Sequence, residues 1–599
     1  MDILKNKGTL LLLGNEAVVR GALESGVNVA TTYPGTPASE IGDTFSKIAK
    51  KADIYFEYSV NEKVAAEVAI GASVSGLRSI VSMKHVGLNV ASDALATIAY
   101  SGVRGALVIA VADDPSCYSS QNEQDSRYYA LLMNLPMLEP STSQEAKDMT
   151  KAAFKLSEKL ELPVFLRLST RVSHVRENVK LGKIMKNNRK GCFEKNPMRF
   201  VNVPAGARIG HKRLLSQMEK AKDISEKSNL NQIVKIGKKP KIGIITSGVS
   251  YTYTMEAVKK LGIDASILKL GIVHPLPEKM CEDFINSFKK IVVVEELEPY
   301  LEKQIKALGA KNVHGKTTND FPRTFEYTPD IVFNSMAKIL GKKTVKTSEK
   351  LNAPSRPPVL CPGCSHRATF YAAKIASKDK AIYSTDIGCY ALGVQLPLAT
   401  ADLLMCMGGG VGAAGGISKA TKQKVIAFIG DSTFFHAGIP ALINAVYNNH
   451  KFVYTILDNR TTAMTGHQPH PGTGITGMGN IAPNIKIEDI VRGIGVKFIE
   501  ILDPYNVKKT ISAFRRALEY DGVSVLIARH PCTLLELRKG KKKPYQVNQS
   551  KCKECRICID RFGCPALYVD NKIHINPLLC VGCGVCAQIC PAKAIGVKK

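Results

Sequence analysis

The feature that most constrains this chain lies at its end. Cys552, Cys555, Cys558 and Cys564 follow the pattern C-x2-C-x2-C-x5-C-P, and Cys580, Cys583, Cys586 and Cys590 follow C-x2-C-x2-C-x3-C-P. That spacing is how a ferredoxin-like module holds two [4Fe-4S] clusters, so the chain moves electrons one at a time. In the usual pairing the first three cysteines of one run share a cluster with the last of the other. Cys552, Cys555, Cys558 and Cys590 then form one set, and Cys580, Cys583, Cys586 and Cys564 the other. Pro565 and Pro591 turn the chain after each fourth ligand. Four-cysteine zinc sites also use C-x2-C repeats, but two triple runs each ending in Cys-Pro favour iron and sulfur. Five residues separate Cys558 from Cys564 where the second run has three, which leaves the cluster at Cys564 open; a loop insertion is the simplest account.

A chain of 599 residues is too long for one core and divides into about four domains. Sixteen cysteines, eight of them in the runs, with no signal-like segment before a first strand at Thr9 to Leu13, indicate a reducing cytoplasm. The apolar stretch from Leu392 to Ile417 contains Asp402 and many glycines and reads as a loop-rich core segment, not a membrane span. The net charge of +30 is spread along the chain without a basic helix or interleaved aromatics, which speaks against a nucleic-acid partner. It suits electrostatic steering of a small acidic electron carrier such as ferredoxin, an effect that weakens with salt.

Apolar runs alternating with helical patterns give an α/β fold class with parallel sheets flanked by helices. Four blocks are expected: residues 1–190, 191–345 with a Lys/Asn-rich lead-in, 358–540, and the ferredoxin-like tail at 545–599. A Pro/Ser-rich linker, Leu351 to Pro358, precedes the third. Strands are expected at Thr9 to Leu13, Val29 to Tyr33, Arg78 to Met83, Ala106 to Ala112 and Pro163 to Leu168, then at Ile242 to Thr246, Ala265 to Leu268 and Ile291 to Val294.

In the third block Gly430-Asp431-Ser432 follows a strand at Lys424 to Ile429, and Asp458-Asn459 ends the next, Phe452 to Leu457. An Asp at one strand end, with an Asn side chain and a following backbone carbonyl at the next, supplies the oxygen ligands that hold Mg2+ against a diphosphate. The carboxyl ends of parallel strands are where open α/β sheets bind ligands. Both dipeptides are also ordinary turn formers. In the first block Asn61-Glu62 opens a small-residue helix, Val64 to Gly71, that resembles the segment carrying the activating glutamate of thiamine diphosphate enzymes, an acid that hydrogen-bonds the aminopyrimidine ring. A helix-terminal charge is the plainer alternative for Glu62.

With these residues in view, the chain resembles the large (α) subunits of indolepyruvate:ferredoxin oxidoreductases, within the 2-oxoacid:ferredoxin oxidoreductases. The resemblance runs over nearly the whole length, through Tyr33-Pro34-Gly35-Thr36-Pro37, Asn61-Glu62-Lys63-Val64-Ala65, Met83-Lys84-His85-Val86-Gly87-Leu88-Asn89, the segment Ser119 to Arg127, Cys361-Pro362-Gly363-Cys364, Asp386-Ile387-Gly388-Cys389-Tyr390 and the cysteine tail. It implies a Pyr-type domain, a transketolase C-terminal-like domain, a diphosphate- and Mg2+-binding domain and the cluster tail, in that order. It also implies thiamine diphosphate with Mg2+, a smaller β subunit in a heterodimer or dimer of heterodimers, and reduction of ferredoxin. The implied reaction is oxidative decarboxylation of indolepyruvate, phenylpyruvate or hydroxyphenylpyruvate with coenzyme A, giving the arylacetyl-CoA and CO2.

Carried over by residue, Asp431, Asn459 and the carbonyl of Thr461 match the Mg2+ and diphosphate positions, beside Gly430, and Glu62 matches the activating acid. Thr36 aligns with a threonine that meets substrate or cofactor, or else stabilises its turn. Cys361, Cys364, Cys389 and Cys532 sit in contexts similar to those that ligate a third, proximal [4Fe-4S] cluster; unliganded pocket thiols are the alternative. His85, His366 and His467 are candidate proton carriers or simply structural. Gly408 to Gly410 either admit a ligand or allow tight packing. The competing readings are the same chemistry on pyruvate or a branched-chain 2-oxo acid, and a non-catalytic electron-transfer subunit.

Overall fold

The structure, a computed structural model, describes residues 3–186, 188–345, 353–354 and 356–598. Leu351, Asn352 and Ser355 of the expected linker lie outside the described residues. The chain forms two compact units, Met1–Leu351 and Asn352–Lys599.

The first unit is built on a seven-stranded sheet in the order Ile272–His274, Met137–Leu138, Val164–Ser169, Ala106–Asp113, Arg78–Lys84, Val29–Thr32, Tyr55–Tyr58. All neighbours are parallel except the antiparallel edge strand Ile272–His274. The central strand, Ala-Leu-Val-Ile-Ala-Val-Ala-Asp, is buried at every position. A strand covered on both faces needs no polar alternation, so it reads as a continuous apolar run. The run at Gly8–Leu13, expected in this sheet, pairs instead with Arg176–Leu181 in a separate two-stranded antiparallel ribbon.

A five-stranded sheet completes the unit, ordered Val313–His314, Ile291–Val294, Ile242–Ser247, Ala265–Leu270, Gln232–Ile236, with the last strand antiparallel. A buried charge network joins elements of the two sheets. Arg127 donates to Asp125 at 2.6 Å and to Glu295 at 2.7 Å, and also to the carbonyls of Glu296 and Glu298. Arg167 donates to Asp113 at 2.7 Å and to Glu139 at 2.5 Å, while the Ser247 hydroxyl donates to Glu139. Glu295 Oε2, which accepts from Arg127, also accepts from the Leu301 amide, and Oε1 accepts from the Glu302 amide.

The second unit carries a fully parallel five-stranded sheet, ordered Ile382–Ser384, Val425–Gly430, Phe452–Asp458, Val523–Arg529, Phe498–Leu502. In Val425–Gly430 the side chains of Ile426 and Phe428 enter one apolar layer and those of Val425, Ala427 and Ile429 the other. The cysteine tail folds onto this sheet domain. Ala368 and Tyr371 of the Ser365–Ser377 helix share a core with Cys558, Phe562, Val585 and Cys586, and Arg367 donates to the carbonyl of Gly563 at 2.7 Å. The segment from Leu392 to Ile417 is core in part: Leu398, Val411 and Ala414 are buried in the apolar layers, whereas Leu396 is 85% exposed, with Val394 and Met405 about half so, and the Gly409–Ala420 helix begins within it. Among the described residues no helix is long and apolar enough to cross a membrane.

Candidate cofactor and electron-transfer sites

The carboxyl edge of the second unit's sheet gathers the residues singled out in the sequence. Asp431 directly follows Val425–Gly430 and starts a helix, an N-terminal position that favours a carboxylate. It is buried, with Oδ1 accepting from the Ser432 amide at 2.9 Å and Oδ2 from His470 Nε2 at 3.1 Å. The Gly472 amide donates to His470 Nδ1, so the proton sits on Nε2. Burial works against the ionised acid, but His470 and the backbone donors outweigh it and hold Asp431 below the usual carboxylate range.

Asn459 follows Phe452–Asp458; its Oδ1 accepts from the Thr461 amide at 3.1 Å and its amide nitrogen donates to His366 Nε2 at 3.4 Å. Burial lowers His366 to about 4, so it is a neutral acceptor here. Gly430 is required where it stands, since a Cβ would come within 2.6 Å of the Tyr390 ring. Gly408 and Gly410 serve packing: a Cβ would meet Ala437 at 2.4 Å in one case and the Thr385 carbonyl oxygen at 2.2 Å in the other. The amides of both glycines donate to Asp386, a buried acid pushed up to about 6 by that burial.

Cys361, Cys364, Cys389 and Cys532 lie near enough to these residues and to one another to influence each other's ionisation, although among the described residues no three His, Cys, Asp or Glu side chains are set as a metal-holding group. The Cys389 thiol is pushed to about 12 by burial first, then by Cys532, Cys361 and Asp431. Cys364 rises to about 12 through burial, with Cys389 and Cys361 adding to it, and Cys532 rises through burial, Cys361 and Asp431. Thiols that raise one another in a buried site ionise only against a compensating cation, the condition a metal cluster satisfies. The tail shows the cross-paired neighbourhoods. Cys558 is raised to about 11 by burial and by Cys590, Cys555 and Cys552, whereas Cys586 is raised by burial and by Cys583, Cys564 and Cys580. The five residues before Cys564 wind into a wide helical turn, Cys558–Phe562, after which Gly563, at φ 59°, redirects the chain. A cavity beside the second set is lined by Cys564, Cys580, Cys583 and Cys586 together with Pro362 and Gly363 of the Cys361–Cys364 loop.

In the first unit, Asn61 caps the Glu62–Val74 helix by accepting from the Val64 amide at 2.9 Å. Glu62, buried in the first turn, lies against the start of the His85–Ser101 helix, where a Cβ on Gly87 would fall 2.6 Å from its carboxyl oxygen. Thr36 follows the Val29–Thr32 strand, and its carbonyl accepts from the Ser119 hydroxyl at 3.0 Å. His85 places Nε2 3.2 Å from the Asn122 carbonyl, and His467 is half-buried. Sequence reasoning missed His470 and Asp386. His-Pro-Gly at 470–472 offered a weak signal, while Asp386 lay inside a quoted motif whose cysteine drew the attention.

Comparison with known proteins agrees with this layout. "Pyruvate flavodoxin/ferredoxin oxidoreductase, thiamine diP-bdg" matches residues 20–220, "Indolepyruvate oxidoreductase domain" 232–354, "Thiamine pyrophosphate enzyme, C-terminal TPP binding domain" 386–528, and "4Fe-4S binding domain" 573–596. The chain thus carries thiamine diphosphate-binding and 4Fe-4S-binding domains. Indolepyruvate oxidoreductase subunit IorA of Methanothermobacter thermautotrophicus is 48% identical over 98% of this chain and 97% of its own. The subunits of the same name from Archaeoglobus fulgidus and Pyrococcus horikoshii are 49% and 47% identical, each over 98% of this chain and 97% and 96% of their own. With identity at that level over nearly its full length, the chain belongs to the indolepyruvate oxidoreductase subunit IorA family.

Proposed function

We propose that this chain is the thiamine diphosphate-dependent subunit that oxidatively decarboxylates aryl pyruvates with coenzyme A to arylacetyl-CoA and CO2, passing the electrons to ferredoxin. The observation that carries the reading is the meeting, at one sheet edge, of Asp431 and Asn459 with the four thiols of Cys361, Cys364, Cys389 and Cys532. The residues fit the cofactors. Asp431 is a buried anion at a helix start, and Asn459 with the Thr461 carbonyl adds neutral oxygens of the kind Mg2+ accepts from protein beside a diphosphate. When bound, thiamine diphosphate supplies the nucleophilic carbon and electron sink that decarboxylation of a 2-oxo acid requires.

The chain's own residues then divide the work. Glu62 would hold the aminopyrimidine, Thr36 would meet substrate or cofactor, and His470 orients the Asp431 carboxylate. Cys361, Cys364, Cys389 and Cys532 hold a proximal [4Fe-4S] cluster. Pro362 and Gly363 bridge this set to the cluster of Cys564, Cys580, Cys583 and Cys586. Cys552, Cys555, Cys558 and Cys590 would hold the more accessible cluster, with Cys555 exposed and Cys558 buried, whereas Cys580 and Cys586 of the other set are both buried. The parts are a Pyr-type domain at 1–190, a transketolase C-terminal-like domain at 191–345, a diphosphate domain at 358–540 and the ferredoxin-type tail at 545–599. A smaller β subunit completes the enzyme in the cytoplasm.

An anaerobic assay of the chain with its partner subunit tests this. Low-potential dye reduction dependent on coenzyme A should be faster with indolepyruvate or phenylpyruvate than with pyruvate or branched-chain 2-oxo acids. A preference for pyruvate would overturn the substrate assignment, and no dye reduction with any 2-oxo acid would leave the non-catalytic alternative.

A further inference from the structure

Within the first unit, a lysine that the sequence reading had only quoted inside a motif lies at the corner that holds Thr36. Lys84 ends the Arg78–Lys84 strand and immediately precedes the His85–Ser101 helix. It is 7% exposed, unusual for an ammonium that is not ion-paired. Among the described residues its Nζ contacts are to Ser119 alone, through the backbone carbonyl and, at 3.4 Å, the hydroxyl. That same hydroxyl donates to the Thr36 carbonyl, and the lysine stem fills the hollow left by Gly35, where a Cβ would stand 3.1 Å from the Lys84 Cβ. Gly87, three residues on, is the one against which Glu62 lies. The cation, Thr36 and the proposed activating acid thus share the carboxyl edge of one parallel sheet, where such sheets bind ligands.

The neighbouring carboxylate does not neutralise Lys84 by direct contact. Asp114 is committed to the Ser119 amide at 2.8 Å, the Ser120 hydroxyl and the Thr170 hydroxyl at 2.8 Å. The loop between them is held in a costly conformation, with Ser116 at φ 69° and Cys117 at φ 51°, a left-handed backbone that clusters at binding sites. Three N–H donors face one residue's acceptors, which leaves Lys84 with unused donor capacity and with Asp114 as a charge near it but not in contact. Burial draws its pKa down to about 8, against the opposing pull of Asp114 and Cys117.

We propose that Lys84 is the cation that receives the carboxylate of the 2-oxo acid, with Ser119 and Thr36 lining the same subsite. The proposal rests on the decarboxylase reading and names the residue that recognises the acid. A single buried ammonium beside a hydroxyl and backbone carbonyls matches one carboxylate better than a diphosphate, which calls for several cations or a metal ion. An anchored carboxylate fixes the 2-oxo acid for attack at its ketone carbon, so Lys84 acts on substrate binding and orientation.

The test uses the holoenzyme with its partner subunit and titrates it calorimetrically with phenyllactate, which keeps the carboxylate and aryl group but has no ketone, and with neutral phenyllactamide. The wild type should bind the acid about tenfold or more tightly than the amide, the size expected of a buried charge-assisted hydrogen bond. Lys84→Met should abolish that preference and raise KM for phenylpyruvate by a similar factor, with iron content and thiamine diphosphate affinity unchanged; Lys84→Arg should restore part of it. If Lys84→Met lacks its iron, Lys84→Gln takes its place, since its amide still donates to the Ser119 carbonyl without a charge. An iron-replete variant that keeps the wild-type preference for acid over amide overturns the proposal. So does a wild type that binds both equally. If the wild type turns over no 2-oxo acid, the decarboxylase reading fails, while the acid-against-amide comparison still decides whether Lys84 is an anion site.

Discussion

The two units place charged and ionisable groups near the carboxyl edges of parallel sheets, and they do so to opposite ends. In the first, Arg127 and Arg167 are matched by Asp125, Glu295, Asp113 and Glu139, and both oxygens of Glu295 also take backbone amides. In the second, Cys364, Cys389 and Cys532 are raised by burial and by neighbouring thiols next to Asp431, and the nearby cation is a single guanidinium, Arg367, beside Cys361 and Cys364. A network of matched opposite charges is a structural clasp, whereas like groups crowded together are a candidate binding site. The same rule sets Lys84 apart from Arg127, although both are buried cations of the first unit.

That distinction is open to direct attack. The largest effect is expected at the thiols. Cys389→Ala should remove the proximal cluster, lower iron by about a third relative to wild type and abolish 2-oxo acid oxidation while the chain still binds thiamine diphosphate. Full iron content in that variant would return the four cysteines to pocket lining. The clasp should show itself in stability instead: Arg127→Met strands buried carboxylates and should destabilise the first unit by about 3–5 kcal/mol in denaturant unfolding. A neutral outcome there would make the network dispensable.

Asp431→Ala should weaken thiamine diphosphate binding by about a hundredfold at fixed Mg2+, because it deletes the one anionic oxygen ligand and frees His470. Calorimetry with and without Mg2+ separates this from unfolding, and unchanged affinity would reduce Gly430-Asp431-Ser432 to a turn. The smallest effect concerns Glu296, which burial pushes up to about 7 while the Tyr327 amide opposes the shift. A carboxyl whose pKa is raised by folding contributes stability that is complete below its unfolded value and is lost as pH rises through the folded one. The first unit should therefore weaken between about pH 4.5 and 7, and Glu296→Gln should flatten that slope. A melting profile unchanged by the substitution would show that Glu296 is ionised in the fold.

Much of the site was legible before the structure. Strands buried on both faces, such as Ala106–Asp113 and Val425–Gly430, announce themselves as unbroken apolar runs. Tyr55–Tyr58 and Gln232–Ile236 escaped because a short edge strand carries few residues and a mixed pattern. Gly8–Leu13 is apolar enough for a sheet interior, yet it pairs in an outlying ribbon because its partner, Arg176–Leu181, arrives from the far end of the block. The apolar run after Leu392 held only in part: Val411 and Ala414 enter the core, but hydropathy records what a residue favours, and Leu396 is exposed regardless.

The sequence by itself determined the cluster chemistry of the tail and the strand-end positions of Asp431 and Asn459, because ligand spacing and turn residues are local and leave their mark within a few positions. Tertiary structure alone decided that Arg127 reaches Glu295, that His470 closes on Asp431 and that Lys84 faces Ser119 and Thr36 with no ion pair among the described residues. Those pairings span tens to hundreds of residues. They are fixed by which strands lie side by side in each sheet and by what burial does to a charge, and neither is written in any one stretch of the chain.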